Sequence, residues 1–508
     1  MTQPPYGPQH PTPGEPDHQV TWYDGAAAPP APLSDPTAPE EPRRSRTGRK
    51  VAIGAAAAGV VLLGGAGYAV AAYLSGGGAQ PEEVLPADTI GVVKLDLDPA
   101  AGQKAAVASL MGRFPGLDGA GDIRQSAVDG LLDFSGTRLD FDEDVDPWLG
   151  DRMAVALVPD EESDAGMAPV LVLAVDDQQA MADTLREVGD DLGYGHAVRD
   201  DFLLLAETQE IADRVAAEES RLSETEHYRS DLAALDGDQI AVAWADLSAL
   251  QQQLGTTLED DGIVTLDETF ADISGRVVYG LHAESDALEL VGMDFTSSDV
   301  GPGPRSTEPT HLVQALPKNT VFAVSASGLG DVLIDRWDEI EASGMLEGFE
   351  EMFPDLELPE DVKTVFGSDF LLAMRGSMQD PHVGIRATTD DPERATGILE
   401  GFNYAFDLGI PVESAPVDDG YVLATDALTA RALMDDDGGL ASTEAFQAAL
   451  PGVEGATMVA YVDLSAVLDQ FPSDGSFHRS DYEAVQALGM TSTPADQGSR
   501  VVLRVTVD

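Results

Sequence analysis

The 508-residue chain contains no cysteine. It therefore has no disulfide, no thiolate metal ligand and no cysteine nucleophile, and its folded part must be held together by a hydrophobic core. Basic residues are also scarce, with 28 Lys and Arg against 91 Asp and Glu and a formal net charge of −63. Nucleic acid, anionic lipid headgroups and anionic wall polymers are poor direct partners for such a chain, because each would be repelled.

Recognisable catalytic motifs are missing as well. The sequence has no Gly-x-Ser-x-Gly turn, no His-Glu-x-x-His pair and no Gly-Lys-Ser/Thr phosphate loop. These motifs mark serine hydrolases, zinc proteases and nucleoside triphosphatases. The eight histidines are scattered, with no pair at metal-ligand spacing. The sequence therefore predicts no catalytic and no cofactor-binding residue, and it favours a protein that is not an enzyme.

One long run without charge stands out in this acidic chain. Residues 51–74 carry no charge and directly follow five basic residues between Arg43 and Lys50. A helix of this length reaches roughly 36 Å, which is enough to cross a hydrocarbon layer of about 30 Å. The basic cluster places the N-terminus in the cytoplasm by the positive-inside rule. We therefore expect an integral, single-pass protein of the cell membrane with an extracytoplasmic C-terminal part.

Two other interpretations of this run stay open. It is a cleaved signal peptide if Ala69-Val70-Ala71 is a processing site, although the long preceding tail argues against this. It is a twin-arginine export signal if Arg43-Arg44 starts one, although the residues that follow lack the apolar pair typical of such signals.

The remainder of the chain contains an internal repeat. Residues 85–89 (LPADT), followed by an apolar run, return as residues 316–320 (LPKNT). Residues 243–250 (AWADLSAL) return as residues 460–467 (AYVDLSAV). Two further landmarks recur in the same order, which indicates a tandem duplication.

These features predict the following organisation. The segments are a disordered, proline-rich cytoplasmic tail with a basic patch (1–50), a transmembrane helix (51–74), a first ectodomain repeat (75–300), a linker rich in Gly and Pro (301–309) and a second ectodomain repeat (310–508). Within a repeat, apolar runs of strand length alternate with helical periodicity. The predicted fold class is α+β, with two homologous repeats built from mixed or mostly antiparallel sheets and helices.

The arrangement resembles a known group of bacterial proteins. The tail, the basic patch, the single span, the LPADT segment at residues 85–89 and its second copy at residue 316 are similar to an uncharacterised family named domain of unknown function 3352. The resemblance covers about residues 85–508. It implies a membrane-anchored, duplicated ectodomain, and it supplies no activity and no site residues because the family has none assigned.

Three groups of residues are candidates for function. Asp140, Asp142, Asp144, Asp146 and Asp151 follow the ligand spacing of a calcium loop, although Val145 stands where the turn needs Gly. Asp246 and Asp463 recur in both repeats, and we expect them to cap short helices. Trp244 and Tyr461 alternate with apolar residues and are predicted to be core aromatics.

The sequence thus predicts an acidic scaffold or binding protein of the cell envelope, with an unidentified envelope partner that is not nucleic acid. The cleft between the repeats is the expected binding site, since ligand sites often form between domains. Two alternatives are a hydrolase that uses paired carboxylates and a carrier for an apolar molecule in a dry cavity.

Overall fold

One continuous antiparallel sheet forms the centre of the molecule in the computed structural model. The structure describes residues 79–508 apart from 99, 115–124, 126–139, 164, 190–192, 258–273, 296–305, 307, 336, 343–352, 354, 355, 378, 406–412, 418, 436, 437 and 472–481. The predicted tail and span lie outside the described residues, as does most of the predicted linker. No helix in the described part of the chain is long and apolar enough to cross a lipid bilayer.

The sheet contains sixteen strands. In chain order they are β1 (Gly91–Asp96), β2 (Leu149–Pro159), β3 (Met167–Val175), β4 (Gly195–Arg199), β5 (Phe202–Ala206), β6 (Ala241–Asp246), β7 (Arg276–Ala283), β8 (Ala287–Asp294), β9 (Thr320–Ser327), β10 (Asp369–Gly376), β11 (Pro381–Thr388), β12 (Glu413–Val417), β13 (Gly420–Ala424), β14 (Met458–Asp463), β15 (Val485–Ala495) and β16 (Gly498–Val507).

Thirteen α-helices are found among the described residues. They are α1 (Ala101–Met111), α2 (Gln178–Val188), α3 (Gln209–Ala217), α4 (Glu226–Leu232), α5 (Leu247–Thr257), α6 (Glu308–Gln314), α7 (Leu329–Asp335), α8 (Trp337–Ala342), α9 (Glu360–Phe366), α10 (Pro392–Ala405), α11 (Ala427–Met434), α12 (Glu444–Ala449) and α13 (Leu464–Leu468). A π-helical turn, Phe141–Val145, precedes β2.

The order of the strands is the same in both halves when it is read outward from the centre. One side runs β8, β7, β6, β1, β2, β3, β5, β4, and the other runs β16, β15, β14, β9, β10, β11, β13, β12. The halves meet where β8 pairs with β16, from Ser499 opposite Asp294 to Thr506 opposite Ala287. The halves are therefore joined edge to edge by main-chain hydrogen bonds, and a binding site in a cleft between them stays a prediction.

Helices cover the outer part of the sheet on both faces, because the outer strands are apolar on both sides. In the first half, Val170 and Leu204 pack with Ile211 of α3 on one face. On the other face, Leu171 and Leu203 pack with Met181 of α2. Strands with apolar residues on both sides are typical of sheets that are buried on both faces. Two hydrophobic layers therefore lie around each half of the sheet.

Local hydrogen bonds also recur between the halves. The Thr89 hydroxyl donates to Pro86 O at 2.7 Å, and the Thr320 hydroxyl donates to Pro317 O at 2.8 Å. Leu222 N donates to Leu85 O at 3.0 Å, and Leu440 N donates to Leu316 O at 2.8 Å. These hydrogen bonds make Leu85, Pro86, Thr89 and Leu222 equivalent to Leu316, Pro317, Thr320 and Leu440.

The sequence predicted most of these elements. The described elements confirm an α+β fold, and every strand pairing between the named strands is antiparallel. The apolar runs on either side of residues 284–286 predict a hairpin over residues 275–295, and the structure confirms it as β7 and β8. Five strands, namely β4, β11, β12, β13 and β15, were not predicted individually from the sequence.

Candidate functional site

Two of the five aspartates predicted to bind calcium accept hydrogen bonds from nearby backbone amides. Asp140 accepts a hydrogen bond from Glu143 N, and Asp144 accepts one from Asp140 N at 2.8 Å. Asp361, the residue of the second half that is equivalent to Asp144, accepts a hydrogen bond from Glu357 N at 2.7 Å. Among the described residues, no three Asp, Glu or His side chains are grouped closely enough to hold a metal ion. The structure therefore does not bring Asp140, Asp142, Asp144, Asp146 and Asp151 together, and calcium binding stays a prediction.

The two recurring aspartates after β6 and β14 are helix caps. Asp246 Oδ1 accepts a hydrogen bond from Ala249 N, and Asp463 Oδ1 accepts one from Ala466 N, both at 2.9 Å. This bond satisfies one of the amides that a helix start leaves free. The capping prediction is confirmed for both residues. Trp244 and Tyr461 are buried core aromatics, as predicted.

The core of the first half contains three ion pairs. Asp231, which is 1% exposed, binds Arg276 through two hydrogen bonds of 2.7 and 3.2 Å, and it accepts a third of 2.9 Å from Trp244 Nε1. Lys94 lies 2.5 Å from Glu82. Arg152 lies 3.3 Å from Asp96, its register partner in the sheet.

The aromatic side chains of Tyr228 and Trp244 lie between two of these pairs, Asp231–Arg276 and Lys94–Glu82. The Tyr228 ring packs edge-on against Trp244 at 5.4 Å between centroids. Lys94 Nζ lies 6.0 Å from the centre of the same Tyr228 ring. Burial, followed by the nearby Glu82 carboxylate, raises the pKa of Tyr228. The Tyr228 hydroxyl and Glu82 Oε2 are buried, and neither has a hydrogen-bond partner among the described residues.

The second half has no such ion pairs at the equivalent positions. Strand register and the repeated sequence segments identify the equivalent residues of the second half. Five of them are uncharged, and one is an aspartate. Glu82, Lys94, Asp96, Arg152, Asp231 and Arg276 correspond to Val313, Ser325, Ser327, Asp369, Ala449 and Ala487. The aromatic pair is kept, as Phe446 and Tyr461, with the same 5.4 Å between centroids.

This difference shows that the fold does not require the buried charges. Ion pairs in a core cost desolvation free energy, and apolar residues of similar volume often stabilise a protein as well or better. The pair Lys94 and Glu82 also ties the 3₁₀ turn Pro81–Glu83 to β1, and Arg152 donates to Ala79 O at 3.4 Å. Two of the three pairs thus fix the segment that enters the sheet from the N-terminal side.

A carboxylate pair suited to hydrolysis would need one group with a raised pKa to act as a general acid. Four described carboxyl groups have a pKa that departs clearly from its ordinary value. All four are lowered: Glu218, Glu284, Asp361 and Asp426. These groups are therefore ionised at neutral pH and lack the property of a general acid.

Asp426 is the most strongly shifted of them and gives a pH-dependent prediction. Burial raises its pKa, but hydrogen bonds from Thr429 and Leu428 and the charge of His382 lower it more, to about 2. A carboxyl whose pKa is depressed on folding stabilises the folded state above pH 4, and this contribution disappears as the pH falls toward 2.

We expect Asp426→Asn to lower the free energy of unfolding by about 1 to 2 kcal/mol at pH 7, since part of the charge-assisted capping is lost. At pH 2 the variant and the wild type should unfold at the same urea concentration. A difference that persists unchanged at pH 2 would mean that the charge of Asp426 is not the cause.

Both outer edges of the sheet are closed to strand addition. Gln209 brackets the edge strand β4, since its side chain accepts from His196 N at 3.1 Å and donates to His196 O at 2.7 Å. The other edge strand, β12, contains Pro416, which has no N–H to offer. Edges blocked in this way do not recruit a partner strand.

The junction between the halves carries most of its charge on one face. Arg504 of β16 binds Glu289 at 2.9 Å and Glu284 at 2.6 Å, and its Nε donates to Ala448 O at 2.9 Å. Burial lowers the pKa of Arg504, but the hydrogen bonds to the two glutamates raise it overall. Residues of both halves therefore meet at this guanidinium.

The other face of the same four central strands is a grid of apolar side chains. Strand register aligns three rows of four residues on this face, which we call the apolar grid. Read from β7 through β8 and β16 to β15, the rows are Ala283, Leu288, Val505 and Leu488; Leu281, Leu290, Leu503 and Met490; and Tyr279, Gly292, Val501 and Ser492.

The apolar grid is only partly covered. Ala283, Leu281 and Gly292 are buried, and the other nine residues are half-buried. Helix α1 packs over the first row, where Val107 and Leu110 join Ala283 in one cluster. The middle row and the third row belong to none of the hydrophobic clusters formed by the described residues.

The strands of the apolar grid and the two helices beside it carry few charged side chains. The four central strands contain five charged residues, namely Arg276, Glu289, Asp294, Arg500 and Arg504; four of these lie on the opposite face, and Asp294 lies on the grid face in the row next to Tyr279 and Gly292. The flanking helices α5 and α13 contain no charged residue. In a chain with a net charge of −63, this is an unusual neutral surface.

Sequence reasoning missed this surface because its residues come from four strands in two distant parts of the chain. The available signal was the absence of acidic residues from residues 485–495 and 247–257.

Comparison with known proteins identifies a family for the first part of the chain. Residues 55–193 match a family model described as "Protein of unknown function (DUF3352)", so the predicted resemblance is confirmed over that segment. The matched segment includes β1, β2 and β3. No curated protein and no solved structure matches the chain.

Proposed function

We propose that this chain is a single-pass membrane protein whose duplicated, acidic body lies outside the cytoplasm and binds an envelope component without catalysing a reaction. The single observation that carries the binding role is the apolar grid, a neutral and partly exposed surface on an otherwise acidic protein. Exposed apolar patches of a few hundred Å² on soluble bodies often mark binding sites.

The tandem duplication is part of this proposal. The matching strand order of the two halves, the shared Thr-to-Pro hydrogen bonds and the conserved aromatic pair support it. Duplication places β7 and β8 beside β15 and β16, so that the apolar grid exists only where the halves join. The junction is therefore the part of the molecule that a single repeat would lack.

Membrane anchoring rests on the uncharged run at residues 51–74 and the basic cluster before it. The described body begins at residue 79, five residues beyond that run. The buried pair of Lys94 and Glu82 fixes this first segment to the sheet. The body would then be held directly at the membrane surface.

The absence of native cysteine allows a direct test of this orientation. Single-cysteine variants Asp88→Cys, at an exposed site of the body, and Ser34→Cys, in the tail, are expressed separately in wall-stripped cells. A membrane-impermeant maleimide should label Asp88→Cys in intact cells and Ser34→Cys only after lysis. Labelling of the tail variant alone in intact cells would reverse the orientation, and recovery of both variants in the soluble fraction would contradict anchoring.

A further inference from the structure

The chemistry of the apolar grid identifies the class of ligand, and this inference rests on the function proposed above. We propose that the grid binds the acyl chain of an electrically neutral lipid. Four antiparallel strands and three rows of alternate residues give a surface of about 14 Å by 14 Å between Cα atoms. This is suitable for extended hydrocarbon lying across the strands.

The ligand should be apolar because the half-buried side chains of the apolar grid are mostly apolar. Leu290, Leu503 and Met490 form a continuous half-buried row across three strands, and Tyr279 lies beside Gly292 in the next row. A Cβ atom at Gly292 would come within 2.1 Å of the Tyr279 ring. The glycine thus lets the aromatic ring lie across β8, which extends the apolar surface.

The ligand should carry no negative charge because the rest of the body repels anions. The chain beyond residue 74 holds 85 acidic and 23 basic residues. A fatty-acid carboxylate or an anionic headgroup would approach against this field. A second copy of the chain would be repelled for the same reason, which disfavours face-to-face dimers on the apolar grid.

The ligand should be a lipid because the nearest apolar material is the membrane. Residues 74 and 79 are separated by five Cα steps, which span at most about 18 Å. A body on so short a tether experiences a high local concentration of membrane lipid. No comparable source of extended, neutral hydrocarbon is implied by the sequence.

A photoactivatable, alkyne-tagged monoacylglycerol tests this inference with the full chain in membranes of wall-stripped cells. After illumination, labelled peptides are mapped by mass spectrometry. We expect label in the span at residues 51–74, which serves as an internal control, and in β8, β15 and β16. Leu503→Asn should lower the label in these strands at least tenfold, while Val502→Asn, on the opposite face of β16, should leave it unchanged.

A second variant on the same row, Met490→Gln, keeps the test valid if Leu503→Asn fails to fold, and thermal unfolding checks both. Label in the span with none in the three strands would overturn the lipid inference and leave the proposed function standing. Equal loss with Val502→Asn would also overturn it. Label in neither region would place the chain outside the membrane and overturn both proposals.

Discussion

Replacing Asp231 with Ala should destabilise the protein by about 3 to 5 kcal/mol, because the change leaves a largely buried cation without its partner. Arg276 would lose two hydrogen bonds to this carboxylate, and Trp244 Nε1 would lose the carboxylate oxygen that accepts its hydrogen bond. Urea unfolding followed by tryptophan fluorescence measures the loss. Asp183→Ala, which removes an exposed pair with Arg186, should change the stability by about 0 to 1 kcal/mol.

The second half of the chain provides the rescue for this variant. It carries Ala449 and Ala487 where the first half has Asp231 and Arg276. The double variant Asp231→Ala with Arg276→Ala should therefore recover at least half of the lost stability, since no unpaired charge remains. If the double variant is no more stable than Asp231→Ala, the loss of stability does not come from an unpaired charge. It then comes from the hydrogen bonds and packing that the pair itself provides.

Replacing Lys94 with Ser should have an effect of the same size, about 3 to 5 kcal/mol, because Glu82 would keep a buried negative charge without a cation. Hydrogen exchange should increase most in the segment that this pair attaches to the sheet. The turn Pro81–Glu83 depends on this contact, so hydrogen exchange in residues 79–84 should increase more than in β3 or β5.

The matched rescue is again taken from the second half, which has Val313 and Ser325 at these positions. Lys94→Ser with Glu82→Val should restore protection of residues 79–84. If Lys94→Ser leaves both the stability and the exchange of this segment unchanged, then the pair does not attach the entering segment to the sheet.

The sequence predicted the elements well where periodicity and capping agree. Strand β1 and the hairpin of β7 and β8 follow from apolar runs between turn residues. Asp246 and Asp463 were identified as caps because each separates a strand from a short helix. Strand β15 was missed because its Gly489, Thr491, Ser492 and Thr493 make a weak apolar pattern.

The arrangement of the halves and the candidate site could not be predicted in the same way. Pairing of β8 with β16 joins residues about 210 positions apart, and nothing in the local pattern of Leu290 or Leu503 shows that they are neighbours. The regular spacing of Asp140, Asp142 and Asp144 pointed to a metal, whereas the structure uses Asp140 and Asp144 to hold backbone amides. Side-chain spacing alone does not distinguish these two uses of a carboxylate.

The most direct test of the binding role is photo-crosslinking from within the apolar grid. Benzoylphenylalanine is incorporated at position 503 or, as the control, at position 502 on the opposite face of β16. In living cells, illumination should give a discrete adduct from position 503 and none from position 502, whatever the mass of the bound partner. Equal adducts from both positions, or no adduct from position 503 in a folded protein, would contradict a binding surface at the junction of the two halves.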